Sequence, residues 1–100
     1  MPIRSKKHRF TNRNISNSPS DIGVYTLSEY SEMIYIGRGG GAGGIKTRLQ
    51  AAKRGDTRGG RKATSYQVER CKDPAKREKQ LLAQYKKKHG KLPRYNDRIG

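Results

Sequence analysis

The chain is poor in cysteine, with Cys71 alone, has no tryptophan, and contains no long apolar run. One cysteine cannot close an intramolecular disulfide, and with only His8 and His89 available it does not approach a zinc-ligand set. A reducing compartment is the default reading. The basic N-terminus has no hydrophobic region behind it, so it does not read as a secretory signal, and the expected location is cytoplasmic. Acidic residues are scarce as well: 8 stand against 24 lysines and arginines, giving a formal net charge of +16. A surface that is merely soluble mixes both signs. The imbalance instead makes a polyanion the expected partner, with nucleic-acid phosphate leading. A membrane is not expected, because the basic helices lack an aromatic insertion face and there is no lipidation signal.

At 100 residues there is room for one domain, and with 30% hydrophobic residues its core must be compact. Residues 1–20 are cationic, rich in Asn and Ser and short of apolar side chains, which reads as a flexible basic arm ahead of a folded domain over 21–100. Ile22 to Leu27 and Met33 to Gly37 read as two strands of a β-hairpin joined by Ser28 to Glu32. Period-two counting puts Gly23, Tyr25 and Leu27 on one face of the first strand and Met33, Tyr35 and Gly37 on one face of the second. A glycine-dominated loop over Arg38 to Gly44 follows. Ile45 to Lys53 then has Ile45, Leu49 and Ala52 at helical spacing, with Arg48 at the edge of the stripe. After a Gly- and Arg-rich loop over Arg54 to Lys62, the alternation of Tyr66 and Val68 within Thr64 to Cys71 reads as a third strand. Asp73 and Pro74 start a helix of about four turns that Gly90 and Pro93 stop. The expected fold is therefore α/β (α+β): a small, mostly antiparallel three-stranded sheet flanked by helices.

On the last helix Ala75, Glu78, Leu82, Tyr85 and His89 share one face at three- and four-residue steps, which puts Glu78 within the buried stripe. An isolated buried carboxylate is costly and needs a cation, a metal or several donors. Two readings stay open: Glu78 pairs with a lysine or arginine, or it is a metal ligand at the floor of a cleft. Gly39 to Thr47 invites comparison with the phosphate-cradling P-loop, but Ile45 stands directly before Lys46 where that motif requires glycine.

Gly23-Val24-Tyr25, a short connection and Tyr35-Ile36-Gly37 form the motif pair that names the GIY-YIG nucleases, and the chain resembles that family from Asp21 to about Asn96. Arg48, Glu78, Pro93 and Asn96 follow in family order. The resemblance implies a metal-dependent endonuclease that hydrolyses phosphodiester bonds, with double-stranded DNA the expected substrate. Glu78 would hold one Mg2+ or Mn2+ ion, a hard cation suited to a carboxylate and waters. Tyr25 would be the general base, Arg48 the stabiliser of charge on the phosphate, and Tyr35 the group that orients water or phosphate. Gly23 and Gly37 would keep space open beside the tyrosines, and Asn96 would fasten the terminal segment over the cleft. Arg38, Lys46, Lys53, Arg54, Arg58, Arg61 and Lys62 are the expected nucleic-acid contacts. Where many family members carry a histidine one turn after the arginine, this chain has Ala52. The competing expectation is a catalytically silent basic module that binds DNA or RNA. A basic structural protein of a ribonucleoprotein accounts for the charge but not for the hairpin or Glu78.

Overall fold

The computed structural model describes residue 3 and residues 6–96. In chain order the elements are β1 (His8–Arg9), α1 (Asn12–Ser16), β2 (Gly23–Glu29), β3 (Glu32–Gly39), α2 (Gly44–Arg54), β4 (Ser65–Arg70) and α3 (Pro74–His89). The strands form one sheet in the order β1-β4-β2-β3 with antiparallel pairing throughout. The α/β class is as expected. The sheet has four strands rather than three, and the fourth comes from the stretch read as an arm. His8 and Arg9 pair with Tyr66 and Ser65. Thr11 then caps α1 by accepting from the Asn14 amide, and Phe10 and Ile15 are buried in the core. These two apolar side chains join the cluster that holds Tyr66 and, with the β1–β4 pairing, tie this segment to the domain.

The hairpin is tighter than expected. Glu29 pairs with Glu32, leaving only Tyr30 and Ser31 as the connection, and Tyr30 takes the positive φ of 55° that such a turn demands. A register shift after Leu27 pairs that residue with Tyr35 and Ser28 with Met33, so Ile34 is the extra residue of a bulge. Ile34 and Tyr35 therefore pack on the same side, and Met33 joins the opposite cluster rather than sharing a face with Tyr35 and Gly37.

The two faces of β2 feed two cores. Tyr25 and Leu27 pack with Ile45, Leu49 and Ala52 of α2, whereas Val24 packs with Ile36 and with Leu81 and Leu82 of α3. Thus α2 and α3 cover opposite faces of the sheet. The ends of α3 are where the sequence puts them: the Asp73 carboxylate accepts from the Lys76 amide at 3.2 Å, Pro74 begins the helix, and Gly90 ends it with a left-handed φ of 79°. Its inward face is centred on Leu81, Leu82 and Tyr85, with Glu78 alongside, while Ala75 and His89 are exposed.

Candidate functional site

The β2–β3 register builds the centre of the site. Tyr25 lies opposite Gly37 and Leu27 opposite Tyr35, so both tyrosines emerge on the α2 face. Their ring centroids are 6.1 Å apart and tilted by 41°. A Cβ at residue 37 would stand 2.6 Å from Tyr25 Cζ and 2.7 Å from Tyr35 Cε2. Gly37 is thus the space into which the two rings fit. Gly23 works differently from the expectation: a Cβ there would run into the Glu69 carbonyl of β4 and the Ile45 side chain, so this glycine lets β4 and α2 close on β2 rather than clearing room beside a tyrosine.

Arg48 of α2 and Glu78 of α3 both act on the two tyrosines through their charge, although the two helices cover opposite faces of the sheet. Arg38 of β3 is 48% exposed and stands 3.7 Å from the Glu78 carboxylate, whose side chain is 14% exposed. Register explains the meeting: Arg38 lies across from Val24, on the α3 face. Strand alternation carries that clue, since Arg38 follows Gly37 and so turns to the opposite face, where it meets Glu78 as well as being an expected phosphate contact. Among the described residues no hydrogen bond satisfies the Glu78 carboxylate. Burial raises its pKa, and the charges of Arg38 and Arg48 oppose the rise.

Tyr25 is fully buried, and its hydroxyl makes no well-formed hydrogen bond. Burial first and Tyr35 second push its pKa up; the nearby Arg48 guanidinium pulls the other way, and Glu78 adds to the rise. Half-buried Tyr35 is also raised, by burial and then Glu78, against the charges of Arg48, Arg58 and Arg38. Mutual electrostatics therefore join Tyr25, Tyr35, Arg48, Glu78, Arg38 and Arg58 in one cluster.

The other expected cationic contacts are more scattered. Lys53 sits over the Phe10 ring at 5.2 Å, Arg54 pairs with Asp56 at 3.2 Å, and the Arg61 guanidinium lies against Gly55. Lys46 is half-buried in the first turn of α2, and Lys62 is exposed. Asn96 does hold the terminal segment. Its side-chain amide donates to the Ile36 carbonyl at 3.0 Å and accepts from the Ile36 amide at 2.9 Å, continuing the sheet along the open edge of β3. Tyr95, whose amide bonds to Ile34, packs against the α2-side core and Gly59.

A cavity of about 710 Å³ lies elsewhere, between α3 and the sheet, with Thr26, Met33, Ile36, Leu81 and Tyr85 in its wall beside Lys7, Lys88 and His89. Its surface is mainly apolar, whereas Arg48, Arg38 and Arg58 act electrostatically on the tyrosines. Among the described residues no three His, Cys, Asp or Glu side chains cluster as a metal cage. A hard cation such as Mg2+ needs no cage, since it retains waters and takes one or two carboxylates beside substrate phosphate. An underbonded, partly buried Glu78 fits that requirement as a single ligand. No helix among the described residues is long and apolar enough to cross a membrane. No family model and no curated protein matches the chain.

Proposed function

We propose that the protein is a metal-dependent endonuclease of the GIY-YIG type, acting on DNA. The observation that carries the reading is the pair of tyrosines packed over Gly37, with Arg48 and an underbonded Glu78 within electrostatic reach of them, in a chain of net charge +16. Arg48, with Arg38 and Arg58, would grip the scissile phosphate and offset charge as it develops there. Glu78 would hold the divalent ion, which supplies Lewis acidity to the phosphate and its leaving oxygen. Half-buried Tyr35 would position the attacking water. Tyr25 Oη would take its proton, and since burial favours the neutral phenol, that role requires the hydroxyl to be uncovered and drawn towards Arg48 when substrate arrives.

A second reading, a silent nucleic-acid-binding module, draws support from the Arg38–Glu78 pair and the sealed Tyr25 hydroxyl, both of which give the residues structural work. Nicking of supercoiled plasmid separates the two. Metal-dependent nicking that Arg48→Ala abolishes without loss of binding supports the nuclease; tight binding with no cleavage of plasmid, branched DNA or RNA supports the module. A cytoplasmic location belongs to this proposal, and fractionation of the source cells tests it.

A further inference from the structure

The charge of the molecule is divided between its two cationic residue types. All seven described carboxylates are engaged, Asp21, Glu29, Glu32, Asp56, Glu69 and Glu78 by arginines and Asp73 as the cap of α3. No lysine forms an ion pair among the described residues. Four of these lysines are exposed on α3: Lys76 and Lys87 opposite Leu81, Leu82 and Glu78, and Lys79 and Lys86 on the flank next to Leu82. Only Gln80, Ala83 and no carboxylate lie between them on that side. From Lys76 to Lys87 the stripe runs about 16 Å at 1.5 Å per residue, the length of roughly five base-pair steps at 3.4 Å each.

Helix electrostatics account for Lys86 and Lys87, which stand in the last turn where cations are favoured. They do not account for Lys76, which stands in the first turn near the positive end with no acidic residue in that turn, or for Lys79, three residues further on with like charge. A sugar-phosphate backbone relieves both penalties. We infer that the outer face of α3 is a second nucleic-acid track, on the side of the sheet opposite α2, so that one molecule holds two segments of nucleic acid. The inference rests on nucleic acid being the partner, but not on hydrolysis. It differs from the loop contacts around Arg54 to Lys62, which belong to the α2 side of the molecule.

Two-duplex capture in chelator, where no metal-dependent cleavage occurs, tests it. A biotinylated duplex is fixed to a surface, saturated with full-length protein, washed and offered a fluorescent duplex. Wild type and Glu78→Gln should retain the second duplex. The variant K76Q/K79Q/K86Q/K87Q should bind the first duplex yet retain at least about tenfold less of the second, with a salt slope for that step lower by about 3 to 4 for four lost phosphate contacts. Glutamine keeps helix propensity, so an unchanged circular dichroism spectrum is expected, and the four-arginine variant should restore capture. Capture undiminished in the glutamine variant would overturn the proposal and indicate bridging by paired copies. Loss of the first duplex along with the second would reduce the two tracks to one. No second duplex with wild type, together with lysine-dependent binding to phosphatidylserine vesicles, would make the face a lipid surface and overturn it too. Capture without any plasmid cleavage in magnesium would uphold this inference while defeating the nuclease reading.

Discussion

Replacing Tyr25 by phenylalanine should make the protein more stable, contrary to the usual cost of deleting a buried polar group. The hydroxyl is sealed inside the fold without a well-formed hydrogen bond. A buried donor left unsatisfied costs about 1–3 kcal/mol, and the substitution removes that cost. Against it stands the void of one oxygen, roughly 10–15 Å³, worth about 0.2–0.4 kcal/mol at ~24 cal/mol per Å³. The net gain is about 1 kcal/mol or more, which for a domain of this size raises Tm by about 4–8 °C. Urea and thermal unfolding without divalent ions, followed by circular dichroism, measure it. The same variant should lose plasmid nicking, so that stability and activity move in opposite directions, as they do where a strained site is kept for its chemistry. Destabilisation by more than about 0.5 kcal/mol would refute the reasoning, because it would mean that Arg48 closes a real hydrogen bond onto the hydroxyl.

Gly37→Ala should cost about 1–3 kcal/mol, because its Cβ must displace both tyrosine rings, and chemical denaturation would register the loss. Asn96→Ala removes both bonds to Ile36 and should lower stability by about 1–3 kcal/mol, with faster hydrogen exchange along β3 as the local readout. Glu78 binds its proton more tightly folded than unfolded, so it favours the fold at low pH and erodes stability as pH rises from the ordinary carboxylate range through its raised value. Glu78→Gln should remove that decline, and a Tm rise on adding magnesium, expected in wild type, should vanish with it. With both tyrosines titrating above their ordinary value, nicking should keep accelerating from about pH 7 to 9 without a plateau if tyrosine is the base.

Much of this architecture was legible because its signals are local. Asp73-Pro74 and Gly90 bracket α3 through capping chemistry that needs no tertiary partner, and Ile45, Leu49 and Ala52 mark the buried stripe of α2 by spacing alone. What escaped depended on partners distant in sequence. A two-residue strand spans a single period of alternation, too little to stand out as a pattern, and β1 forms where β4 offers it an edge. Ala75 and His89 fit the helical spacing of the inward face but lie near the ends of α3, beyond the packed patch centred on Leu81 and Leu82. The bulge at Ile34 shifts Met33 to the other core, an event that period-two counting cannot register. Within the candidate site, the placing of Tyr25, Tyr35 and Gly37 on one face followed from strand alternation. The Arg38–Glu78 meeting joins two elements forty residues apart in the chain, so neither open reading of Glu78 could be chosen from helix geometry. The structure supplies a cation at 3.7 Å and still leaves the carboxylate underbonded.

Cleavage of supercoiled plasmid at low salt by wild type and by Glu78→Ala, with magnesium, with manganese and with chelator, tests the central claim most directly. The account predicts nicked or linear product that requires the metal and disappears in the variant while DNA binding persists. A folded wild-type protein that binds nucleic acid but cuts neither plasmid, branched DNA nor RNA under any of these conditions would contradict it, as would metal-dependent cutting that survives the loss of Glu78.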